Sequence, residues 1–185
     1  MTAAKSTSGL LLALATALLL LAISAPHAAA LDALTCRGSG RQTYRPGITN
    51  DVQVVGATDG LRLGTADNPL LPCVAFGSTV TGGSVDLAYS KEVSCTNPFS
   101  PASTTSLVIS WDNGQRSTYA NSSTLTQANG QTIVTSTGRI TAGLYSGHAV
   151  VATITYFNLS AGELAACETP EGLTMTNSLI VFTIV

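Results

Sequence analysis

Four kinds of residue in this 185-residue chain could carry chemistry. A serine hydrolase or a histidine base needs an imidazole that titrates near neutral pH, and beyond the first thirty residues His148 is the single histidine. It follows Ser146-Gly147 at the mouth of an apolar stretch, where a turn-flanking polar residue is the ordinary reading. No G-x-S-x-G supplies a nucleophile elbow beside it. A glycosidase would need two carboxylates facing one another, but Asp59, Asp67, Glu163, Glu168 and Glu171 all read as loop acids turned to solvent. Trp111 could stack on a sugar ring, with Arg116 and Tyr119 as further ligand contacts and Tyr145 or Tyr156 in support. Its competing role is packing, because Trp111 alternates with Leu107 and Ile109 on one strand face. The four cysteines, Cys36, Cys73, Cys95 and Cys167, make an even count that reads as two disulfides. Of the three possible pairings, a local Cys73–Cys95 bridge with Cys36–Cys167 tying the domain ends is preferred. No C-x-x-C pair exists, so neither a metal nor another cofactor is expected.

Strands must position these residues, and the strongest signal is Thr105 to Thr124. Asn113-Gly114 there reads as a two-residue type I′ turn. That turn would set Trp111 opposite Arg116, Ile109 opposite Thr118 and Leu107 opposite Ala120. Upstream, Gln42 to Arg45 reads as a short strand ended by Pro46-Gly47, and Asp51 to Val55 as a second. Gly56 to Pro72 reads as loop with a short strand at Leu61 to Leu63, and Leu70 to Phe76 as an edge strand apolar on both faces. Ser84 to Ser90 alternates with Val85, Leu87 and Tyr89 inward, and Asn97 to Pro101 reads as a turn. Downstream, Asn129-Gly130 predicts another turn into Gln131 to Ile140, then His148 to Phe157, a polar Ser160 to Gly172, and Leu179 to Val185 buried on both faces. About nine short antiparallel strands without an amphipathic helix predict a single immunoglobulin-like β-sandwich.

The N-terminus reads differently. Lys5, an apolar run from Leu10 to Ile23 and Ala28-Ala29-Ala30 have the layout of a secretory signal. The expected division is a signal peptide over residues 1–30 and one β-domain over 31–185, starting at Leu31. The formal net charge is −2, and the cations are scattered after three near the start of the domain. A nucleic-acid partner is therefore not expected, nor is a membrane association once the signal is removed.

Three phrases, Tyr44-Arg-Pro-Gly-Ile-Thr49, Trp111-Asp-Asn-Gly-Gln-Arg-Ser-Thr118 and Gly138-Arg-Ile-Thr-Ala-Gly-Leu-Tyr-Ser-Gly147, follow Cys36-Arg-Gly38 in order. In this arrangement the chain resembles a family of small, secreted, disulfide-bonded β-sandwich proteins of actinobacteria. That resemblance implies an exported β-domain and carries over no catalytic residue. The expected function is a secreted, non-catalytic module that binds an extracellular protein or cell-wall carbohydrate through end loops. The alternatives are a protease inhibitor presenting Leu70 to Val74, and a hydrolase using His148.

Overall fold

The computed structural model describes residues 34–99, 104–129 and 131–185. The export segment expected over 1–30, the start at Leu31, and Ser100-Pro101 of the expected turn lie outside these residues. β1 (Leu34–Ile48) pairs along one edge with β9 (Leu173–Ile184) and along the other with β2 (Gln53–Gly64). From β2 the hydrogen-bonded order runs through β4 (Gly82–Val93), β5 (Thr104–Trp111), β6 (Arg116–Ala128), β7 (Gln131–Gly143) and β8 (Ala149–Phe157) back to β9. A two-residue β3 (Val74–Ala75) extends the β2 side of β1 at Leu34 and Thr35.

Every pairing is antiparallel, and the circuit closes on itself as an eight-stranded β-barrel. The immunoglobulin-like sandwich expected from strand count is thus corrected. Strand alternation is identical in the two architectures; what separates them is whether the first and last strands meet. Here β1 joins them, with Gly38 to Thr43 paired to β2 on one side and to β9 on the other.

An eight-stranded barrel is just wide enough for side chains to fill its interior. One apolar cluster gathers Trp111, Ile109, Ile140, Phe182 and Leu34 in one half, and another gathers Tyr44, Ile48, Val55, Val93 and Leu173 in the other half. Each end is tied by a disulfide. Cys36–Cys73 fastens the β2–β4 loop at one end, and Cys95–Cys167 fastens the β8–β9 connection at the other. The pairing expected from sequence is therefore wrong in both bridges. β4 runs twelve residues between the loop carrying Cys73 and the one carrying Cys95, roughly 36 Å of strand, against a Cα reach of about 6 Å for a disulfide. Two disulfides also mean that the chain is suited to an oxidising compartment.

Local expectations fare unevenly. At Asn129 (φ 50°) the chain reverses where expected, since Ala128 pairs directly with Gln131; Gly130 of that turn lies outside the described residues. At 113–114 it does not. Trp111 faces Gln115, Gly114 donates to the Trp111 carbonyl at 3.0 Å with φ +82°, and Ile109 pairs with Ser117. This three-residue loop slips the register by one and turns Ser117 and Tyr119 inward instead of Arg116 and Thr118. Burial of the correct face overrides the dipeptide preference. The Gly56–Pro72 loop is also corrected, because β2 runs unbroken to Gly64. Leu70 to Phe76 is mostly turn rather than strand, with only Val74-Ala75 paired. Leu179 and Val181 are exposed while Ile180, Phe182 and Ile184 are buried, as the two faces of a barrel wall require. A short helix, α1 (Ala161–Ala166), with a Ser160/Glu163 capping box, stands in the segment expected only to be polar.

Candidate functional site

Two places gather unusual side chains. The first is inside the barrel. Gln42 on β1, Asp59 on β2, and Tyr89 and Lys91 on β4 belong to three neighbouring strands and all point inward. The Gln42 amide nitrogen donates to Asp59 Oδ1 at 2.6 Å and to the Tyr89 hydroxyl oxygen at 2.8 Å. Its carbonyl oxygen accepts from Lys91 Nζ at 2.8 Å and from the Tyr44 hydroxyl at 2.6 Å. Lys91 also donates to the Pro98 carbonyl at 2.9 Å and lies 5.0 Å from the centre of the Tyr44 ring. Tyr89 donates to Asp59 Oδ2 at 2.9 Å. Among the described residues the one ion pair is Arg62–Asp86 on the outside. Lys91 thus sits in the interior without a carboxylate at ion-pair distance.

Electrostatics follow from that burial. Loss of solvation lowers Lys91 to about 8, with the Asp59 charge opposing the shift. Burial likewise raises the Asp59 carboxyl, against the hydrogen bonds from Gln42 and Tyr89 and the charge of Lys91. The Tyr44 hydroxyl is pushed up to about 12, and Tyr89 and Tyr156 rise as well, all chiefly by burial. Burial thus disfavours the charged form of both titratable groups, and the Gln42 amide is held between them.

Asp59 corrects its placement as a loop acid. Its signal was available: Val55, Ala57, Asp59, Leu61 and Leu63 alternate without a break, as do Val85, Leu87, Tyr89 and Lys91. Reading polar residues as ends of strands, rather than as members of the inward face, hid both groups.

The second place is the loop between β2 and β4. Leu70, Leu71, Val74 and Phe76 are 86, 52, 65 and 73% exposed. The loop is nonetheless pinned from several sides. Cys73 is bridged to Cys36 and its amide donates to the Thr81 carbonyl at 2.8 Å. Leu70 and Leu71 donate to the side chain and carbonyl of Asn68, and Ser78 accepts from the Tyr145 hydroxyl at 2.6 Å. The Asp112 carboxylate takes the Thr81 amide and hydroxyl. The apolar surface continues onto the barrel wall. Val74 pairs with Thr35, Thr35 with Thr183, and Thr183 with Val151, an outward row flanked by exposed Val181 and Leu179.

The remaining sequence candidates are dispersed. Trp111 is 4% exposed, donates to Ser117 Oγ at 2.8 Å and meets Tyr145 and Phe182 edge-on. Tyr119 is buried with its hydroxyl 3.0 Å from Ser136 Oγ, whereas Arg116 points outward. The three are therefore not brought together on one surface. His148 packs edge-on to Tyr145, and among the described residues neither a serine nor a carboxylate bonds its imidazole. A shallow cleft of about 320 Å³ on the wall is lined by Ser39, Arg41, Thr43, Arg62 and Asn177, without an aromatic ring. Among the described residues no group of three His, Cys, Asp or Glu side chains could hold a metal ion.

Comparison with protein-family models, with curated proteins and with solved structures finds no match for this chain.

Proposed function

We propose that residues 31–185 form a secreted, non-catalytic barrel module that binds another protein through the Leu70–Phe76 loop. The observation that carries this reading is the exposure of four large apolar side chains on a loop held rigid by a disulfide and backbone hydrogen bonds. Apolar residues clustered on a solvent face mark interaction sites in soluble proteins. Each such side chain contributes roughly 1.5–3 kcal/mol when a partner covers it, and a preordered loop loses little entropy on binding. The exposed Val151, Leu179 and Val181 extend the surface beyond the loop. Carbohydrate is disfavoured, because Trp111 and Tyr119 face the core and the polar wall cleft lacks a stacking ring. Export is supported by the signal-like first thirty residues together with two disulfides.

The same loop favours one narrower reading, a protease inhibitor, in which pinned Leu70 to Val74 lies extended in a protease cleft. The experiment compares the oxidised protein with Leu70→Asp/Phe76→Asp as baits for secreted and cell-surface proteins. The expected result is a specific protein retained by the unaltered bait and lost at least tenfold by the variant, with equal thermal midpoints. If both baits retain it equally, or neither retains any protein, the reading fails. A captured protease that the unaltered protein inhibits selects the inhibitor. Turnover of esterase, glycosidase or protease substrates that His148→Ala abolishes would overturn the non-catalytic assignment.

A further inference from the structure

We propose that Lys91 and Gln42 join in an intramolecular amide cross-link inside the barrel, formed by the protein itself with Asp59 as proton carrier and Tyr44 as the donor to the reacting carbonyl. Gln42 and Lys91 stand on β1 and β4, and the strand between them, β2, supplies Asp59. Lys91 Nζ is 2.8 Å from the carbonyl oxygen of a side-chain amide whose nitrogen is 2.6 Å from a carboxyl oxygen. Nucleophile, electrophile and acid–base group are thus fixed on three hydrogen-bonded strands, with Gln42 and Lys91 both buried. Holding the amine beside the amide in this way raises their effective concentration, which an otherwise inert amide requires.

Burial supplies the protonation states. With Lys91 lowered to about 8, a part of it is free amine near neutral pH, and a lysine nucleophile acts only as the free amine. Asp59 Oδ1 lies 2.6 Å from the Gln42 nitrogen, a short path for a proton to the leaving group, and burial shifts this carboxyl toward its protonated form. The lone pair of Lys91 Nζ forms a bond to the Gln42 side-chain carbonyl carbon. The carbonyl π electrons move to the oxygen, where the Tyr44 hydroxyl already donates at 2.6 Å and stabilises the developing charge. The attacking nitrogen passes a proton to that oxygen, 2.8 Å away. Asp59 delivers its own proton to the Gln42 nitrogen, 2.6 Å away, and the departing ammonia relays the oxygen's proton back to the Asp59 carboxylate. The C–N bond of the primary amide then breaks, the oxygen electrons re-form the carbonyl, and ammonia departs. An amine and a primary amide become a secondary amide and ammonia; neither oxidant nor reductant is required. The product staples β1 to β4 across β2.

The test is mass spectrometry on the oxidised, purified full-length protein after incubation at mildly alkaline pH, then reduction, alkylation and trypsin. The expected chain is lighter by one ammonia. Because Asn113-Gly114 and Asn129-Gly130 can also lose ammonia by ring closure, the deciding species is a branched peptide. In it the stretch from Gln42 to Arg62 is joined to the stretch from Leu63 to Arg116, uncut after Lys91. Lys91→Met and Asp59→Asn are expected to abolish or strongly slow its formation. Recovery of the unaltered protein only as linear peptides, with cleavage after Lys91, overturns the proposal whether or not either variant folds. This outcome is independent of partner binding at the Leu70–Phe76 loop.

Discussion

At the scale of single residues, the barrel interior forces hydrogen-bonding groups to satisfy one another, and the cost of leaving one alone sets the consequence of each substitution. Tyr44 illustrates this. Its hydroxyl serves Gln42 at 2.6 Å and Thr176 at 3.1 Å while burial pushes it from 10.0 up to about 12. The folded chain therefore holds this proton over a range in which the unfolded chain releases it. The stabilisation is complete below pH 10 and is lost as pH rises through about 12. Tyr44→Phe is expected to cost about 1 kcal/mol at neutral pH through the lost hydrogen bonds. It should also remove about 2–3 kcal/mol of the alkaline loss, since a tenfold difference in acidity between the folded and unfolded chains corresponds to about 1.4 kcal/mol. Urea unfolding across this pH range checks both signs. Tyr89 and Tyr156 keep part of the alkaline loss in place, because burial raises them too.

At the scale of elements, turns and registers follow whichever arrangement buries the correct face. Asn113 adopts no positive φ; its side-chain oxygen instead accepts from the Gln115 amide at 3.0 Å, and Gly114 alone takes the left-handed position. A Cβ on Gly114 would meet no atom within 4 Å, so strain there is purely conformational. Gly114→Val is expected to cost about 1–3 kcal/mol from a β-branched residue at positive φ. A lowered thermal midpoint checks this, and Gly114→Asn, which tolerates that region better, should lose less. The loop length itself comes from Trp111: with the register as observed, its indole nitrogen reaches Ser117 Oγ inside the barrel. The register expected from Asn-Gly would have placed Arg116 there.

At the scale of the whole molecule, closure brings distant parts together and makes the two disulfides different in kind. Their separations of 37 and 72 residues imply roughly 4 kcal/mol of stabilisation each in the chain-entropy model. Both double serine variants, Cys36→Ser/Cys73→Ser and Cys95→Ser/Cys167→Ser, are expected to melt earlier by comparable amounts. Only the first frees the loop that carries Leu70 and Phe76. It should therefore weaken partner retention at temperatures where both variants remain folded, and the second should not. Melting curves with binding measured on the same samples separate the two effects.

By itself, the sequence determined the all-β character, the inward and outward residues of β4 and β5, the Asn129 turn and the presence of two disulfides. These are local matters: alternation with period two and the backbone freedom of Asn and Gly act over a few residues. The closed barrel, the slipped 111–117 register, the Cys36–Cys73 and Cys95–Cys167 pairing and the meeting of Gln42, Asp59 and Lys91 were decided by tertiary structure. The physical reason is common to all four. Alternation tells each strand which side is inside but not which strand stands beside it, and β1 acquires its two long-strand neighbours, β2 and β9, only when the last strand returns to the first. Once it does, polar residues that read as loop punctuation become facing groups in one enclosed interior, and the loop over Cys73 is left outside it.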